Sequence, residues 1–138
     1  MKTRPIITAA IALAITPLAA CGGGGDDETS NADRFEGPEK SVAAVVDELQ
    51  SSSREGDTKT ICREIFTADH AAKVAQAGGM SCEAKAKQEI AVPEETIEVQ
   101  GLLVNGSGAT ARVKEQTGRV STLVFVKSGG DWRIAGIR

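Results

Sequence analysis

From Pro38 to Pro93 the apolar positions recur every three or four residues, and beyond Pro93 they recur every second one. Val42, Val45, Val46 and Leu49 stand at i, i+3, i+4 and i+7, one stripe of an amphipathic helix. Pro38 suits its first turn, where a missing N–H removes no helical bond, and the stretch from Ser51 to Gly56 ends it. Asp57 is an N-cap for a second helix with Ile61, Cys62, Ile65 and Phe66 inward. Thr67 caps a third, short helix that stops at Gly78-Gly79 and turns Ala71, Val74 and Ala75 inward. Ser81 opens a weaker fourth one through Ala84 to about Glu89.

The period of two predicts strands over Thr96 to Val104, Ala109 to Gln116, Arg119 to Lys127 and Asp131 to Ile137. Between them lie Asn105-Gly106-Ser107-Gly108, Thr117-Gly118 and Ser128-Gly129-Gly130, turn sequences whose shortness requires antiparallel neighbours. Helices followed by hairpin-linked strands predict an α+β fold, N-terminal helices packed on a curved four-stranded antiparallel sheet. Alternation assigns Ile97, Val99, Leu103, Ala109, Ala111, Val113, Leu123, Phe125, Trp132 and Ile134 to the face under the helices. It turns Glu98, Gln100, Thr110, Arg112 and Lys114 to water.

The N-terminus follows neither period. Lys2 and Arg4 precede an apolar run from Ile6 to Ile15, interrupted by Pro17 and shorter than the roughly 20 residues a spanning helix needs. That is the layout of a cleavable export signal over residues 1–20. Leu18-Ala19-Ala20-Cys21 resembles the lipobox of bacterial lipoproteins. The resemblance implies cleavage before Cys21, a diacylglycerol on its sulfur and an acyl chain such as palmitate on the new amine. Several chains give stable attachment where one holds only reversibly. The expected location is the extracytoplasmic face of the cell membrane. Residues 21–37, with Gly22 to Gly25 followed by Asp26, Asp27 and Glu28, read as a tether too polar to fold alone, and 38–138 as the domain.

The order of helices and strands resembles the nuclear transport factor 2-like (SnoaL-like, cystatin-related cone) superfamily, and within it the small lipoproteins of actinobacteria. The residues that carry the likeness are Val42-Ala43-Ala44-Val45-Val46, the Gly56-Asp57 break, Gly108-Ala109-Thr110-Ala111 and the ending Gly130-Asp131-Trp132-Arg133-Ile134. The resemblance covers about residues 39 to 138 and implies a cone between helices and sheet. Its members include isomerases, dehydratases, cyclases and non-catalytic carriers, so the fold leaves function open.

Charge and composition narrow the choice. The formal charge of −3 becomes −5 once Lys2 and Arg4 leave with the signal, which argues against nucleic acid as a partner. Three Phe, one Trp and no Tyr leave few stacking platforms. Cys62 and Cys82 remain after Cys21 is given to lipid, and in an oxidising compartment they have one intramolecular pairing. Two reduced thiols and a redox site are the rival readings. His70, beside Asp69, is the only histidine; it reads as an exposed residue near a helix N-terminus, with a general base as the functional alternative. No set of ligands for a metal is spaced for one, and no cofactor motif is present: Gly22 to Gly25 has no strand before it, and Asp26-Asp27-Glu28 lacks a calcium-loop spacing.

Val99, Val113, Leu123, Phe125, Trp132 and Ile134 are then the candidate pocket lining, and the expected interior is dry and without proton-transfer groups. This favours a membrane-anchored, non-enzymatic module for a small apolar ligand or an envelope protein. A lyase or isomerase is the second reading, and its mark would be an ionisable group buried in the cone. The third is a homodimer paired through the apolar strip Val120, Val124 and Val126.

Overall fold

The structure is a computed structural model and describes residues 29–138. The signal, Cys21, the glycine run and the acidic tract to Glu28 lie outside the described residues. Helix α1 spans Gly37–Glu55, with Pro38 in its first turn and Gly56 closing it at φ 70°, a conformation glycine adopts without strain. Its stripe Val42, Val45, Val46 and Leu49 is buried as the spacing requires.

The second helix is less regular than its pattern suggests. A single α turn, α2 (Thr58–Thr60), is capped by the Asp57 side chain on the Thr60 N–H at 3.1 Å. It then widens into a π turn over Ile61–Ile65, closed by Phe66 N–H donating to Ile61 O at 2.9 Å. The widening lets Ile61, Ile65 and Phe66 all enter the core and leaves Phe66 extended, bridged in parallel to Ile134. Helix α3 (Ala68–Gly78) starts on the Thr67 side chain and α4 (Cys82–Glu89) on that of Ser81. Cys62 and Cys82 are joined in a disulfide, Cα to Cα 6.1 Å, which ties the π turn to the start of α4.

Four strands follow in a meander, β1 (Ile97–Asn105), β2 (Gly108–Glu115), β3 (Val120–Ser128) and β4 (Asp131–Ile137), paired antiparallel in sequence order. The α+β expectation, helices on one curved antiparallel sheet, is what the structure shows. Two bulges bend the sheet and reset its alternation. In β1 the register shifts between Val99 and Gly101, so Leu102 and Val104 pair with the inward Ala111 and Ala109. Leu103, expected inside, therefore points out and is 67% exposed. In β4, Ile134 pairs with Phe125 and Gly136 with Val124, leaving Ala135 as the extra residue. That bulge returns Ile137, opposite Leu123, to the inner face.

The tether expected over 21–37 ends sooner than its composition suggests. Asn31 is buried against the free edge of β1: its Nδ2 donates to Ile97 O at 2.7 Å, and its Oδ1 accepts from Val99 N–H at 2.8 Å. The Asp47 carboxylate on α1 accepts from the backbone N–H of Asn31 and of Ala32, both at 2.9 Å. A short 3₁₀ turn, Ala32–Arg34, then leads into α1. A polar side chain thus supplies the edge hydrogen bonds that a further strand would have made.

Candidate functional site

Helices and sheet do not close completely at the end where β1 begins and β2 turns into β3. A cavity of about 570 Å³ opens there, within the size range of small-molecule sites. Its floor is apolar: Leu49 from α1, Phe66 after the π turn, Ile97, Val113 and Leu123 from the sheet. Ile137, brought inward by the β4 bulge, stands at the rim and is 47% exposed.

The mouth is charged because the inward registers of β2 and β3 continue past their apolar residues. Val113 is followed by Glu115 and Leu123 is preceded by Ser121, all on the inner face. Arg119, in the turn before β3, closes a two-bonded pair with Glu115 at 2.9 and 2.8 Å. These bonds raise the Arg119 pKa above its ordinary value, and Glu95 and Glu89 add to the effect through space. On the helical side Lys85 pairs with Glu89 one turn along α4.

Two polar groups in the lining are buried without partners. His70 Nε2 and Glu95 Oε1 are the side-chain atoms among the described residues that are buried and have no hydrogen bond. His70 is 8% exposed, contrary to the exposed helix position expected for it, and stacks edge-on against Phe66 with centroids 4.6 Å apart. Its place follows from α3: His70 and Val74 lie one turn apart and both line the cavity. Burial lowers the imidazole pKa, and the Lys73 charge lowers it further, so the ring is held neutral. Glu95 sits just before β1, its backbone carbonyl accepting from Arg54 Nε at 2.6 Å. Asp69, next to His70 in sequence, is exposed and outside the lining.

Of the candidate lining residues, Val113 and Leu123 border this cavity. Val99, Phe125 and Ile134 are sealed in the core behind it. Trp132 is buried too, as expected for a residue under the helices, and edges a separate depression with Ser41, Val45 and Glu48. The interior is thus apolar at its base but not free of ionisable groups.

No family model matches this sequence, and no curated protein matches it. In structure it is similar to an NTF2-like protein of unknown function from Silicibacter pomeroyi, with TM-score 0.50 and 17% identity over 71% of this chain and 93% of that one. A second NTF2-like protein of unknown function, from Shewanella baltica, gives TM-score 0.49 and 15% identity over 70% and 87% of the two chains. The fold is NTF2-like. The cavity is then the open end of an NTF2-like cone, and what it holds has to be argued from its own lining.

Proposed function

We propose that this NTF2-like domain is a non-enzymatic binding module that takes a small, largely apolar ligand into the open end of its cone. One observation carries the reading: an apolar-floored cavity of about 570 Å³ contains both of the buried side-chain polar atoms that lack a partner among the described residues, His70 Nε2 and Glu95 Oε1. Buried polar groups left without a hydrogen bond cost about 1–3 kcal/mol each, and a ligand that meets them recovers that cost. Apolar walls with a few fixed polar groups are the common composition of ligand sites.

Titration with 1-octanol, followed by NMR of the backbone amides, tests this. We expect saturable one-to-one binding with shifts at Val113, Leu123 and Ile97, lost when Leu123→Trp fills the space. Shifts confined to the outer face around Val120, Val124 and Val126, or no saturation, would overturn the proposal.

The second reading, a lyase or isomerase, gains from the same pair, since a neutral His70 in a water-poor cavity is a potential proton acceptor. Against it, no side chain among the described residues hydrogen-bonds the ring to fix its tautomer, as a dedicated base requires. Deuterium uptake next to the carbonyl of a cavity-sized ketone, abolished by His70→Ala with the fold intact, would establish catalysis instead.

The module is further proposed to be carried on the extracytoplasmic face of a cell membrane by lipid on Cys21. Support comes from the Leu18 to Cys21 pattern and from the disulfide, which suits an oxidising compartment. No helix among the described residues is long and apolar enough to cross a bilayer.

A further inference from the structure

The charges around the cavity are not balanced. Lys85 and Arg119 are the cations of the lining, and each is already paired, with Glu89 and Glu115 respectively. Glu95 is the remaining carboxylate, 8% exposed, and its Oε1 has no hydrogen-bond donor. Arg54 engages the backbone carbonyl of Glu95 and the Thr96 hydroxyl rather than that oxygen. His70 adds no charge, and a neutral imidazole with its proton on Nδ1 presents Nε2 as an acceptor. The unpaired Glu95 carboxylate oxygen therefore lacks a donor and a compensating positive charge, and the floor beside it asks for hydrocarbon.

We infer that the ligand is a cationic amphiphile: a small molecule with an apolar body seated against Leu49, Phe66 and Leu123 and a protonated amine at Glu95. An ammonium group carries three donors and no acceptor. It can meet Glu95 Oε1 and a second acceptor such as His70 Nε2, and it offsets the excess acid of the lining. A carboxylate in the same place would bring a further negative charge beside Glu95 and, of the two buried atoms, leave Glu95 Oε1 without a donor. A hydroxyl would satisfy one of them and leave the charge uncorrected.

This inference rests on the reading of the cavity as a ligand site, and three probes of equal chain length separate the two. Octylammonium, 1-octanol and octanoate are titrated calorimetrically into the full-length protein at neutral pH. A hydrogen bond to a charged group, made in a site poor in water, predicts octylammonium binding at least about tenfold tighter than octanol, with octanoate weakest. Glu95→Gln is expected to abolish the advantage of octylammonium over octanol. Octanoate binding as well as octylammonium, or octylammonium no better than octanol, overturns the inference while the site stands. An amine preference that survives Glu95→Gln in a folded variant overturns it as well. Failure of all three probes sinks the cavity reading and this inference together. The ordering in the unmutated protein decides the matter even where Glu95→Gln does not fold.

Discussion

His70 shows how one side chain can link the site to stability. Its ring lies against Phe66 with Nε2 buried and unpaired, and burial, then Lys73, makes the imidazolium costly. In the unfolded chain the ring takes up a proton near pH 6.5, whereas in the folded protein it does so only at lower pH. Between those two values the unfolded state holds more protons, so stability falls with acidity. The contribution is complete above about pH 6.5 and is lost as pH falls toward the folded pKa. His70→Gln should flatten that part of a denaturation-midpoint profile; an unchanged slope would assign it to other groups. Asn31 is the second residue with an effect out of proportion to its size. It bonds Ile97 and Val99 on the edge of β1 and Asp47 on α1. Truncation to alanine leaves a strand edge and a carboxylate short of partners. Asn31→Ala is expected to lower unfolding free energy by about 1–3 kcal/mol, read from urea midpoints. A loss under a few tenths would mean that water replaces the side chain.

Among the elements, those whose pattern is uninterrupted are legible in the sequence. The stripe of α1, the caps Thr67 and Ser81 and the turn sequences of the sheet all lie where spacing puts them. Interruptions were not legible. A bulge adds one residue without changing composition, so simple alternation carried Leu103 inward and overlooked Leu102, Val104 and Ile137. The π turn after α2 is hidden in the same way, because Ile61, Cys62, Ile65 and Phe66 satisfy a regular helix equally well. The disulfide compensates for the shortness of the elements it joins, α2 with its π turn and α4. Closing a loop of 20 residues removes unfolded-state freedom worth about 3 kcal/mol. Cys62→Ala should accordingly cost about 2–4 kcal/mol, and mass spectrometry of the unreduced protein should find Cys62 linked to Cys82. Free thiols in protein taken from cells would refute the bond.

At the scale of the molecule, the two ends of the cone were unequally readable. The closed end is made of residues whose burial a hydrophobic pattern reports, among them Val99, Phe125 and Ile134. The open end is made of Glu95, Glu115, Arg119 and Ser121, polar residues that the same pattern assigns to solvent. Glu115 and Ser121 continue the inward registers of Val113 and Leu123, a signal that the sequence carries in its spacing. Glu95 lies in the connection after Pro93, where no periodicity exists to place it. Folding of Asn31 also alters the geometry of attachment. Only residues 22–30 separate Cys21 from the docked Asn31, ten Cα steps that reach at most about 36 Å. A lipid on Cys21 would thus keep the cone within about one domain diameter of the bilayer, where membrane-partitioned amphiphiles are concentrated. The anchor itself is tested in cells fed a labelled fatty acid. The unmutated protein should carry the label and sediment with membranes, and its mature N-terminus should begin at Cys21. Cys21→Ala should stay unlabelled and keep the Lys2 to Ala20 segment, because the lipoprotein peptidase acts on the lipid-modified cysteine. A labelled Cys21→Ala protein would place the lipid elsewhere, and an unlabelled native protein cut upstream of Cys21 would make the domain a freely secreted one.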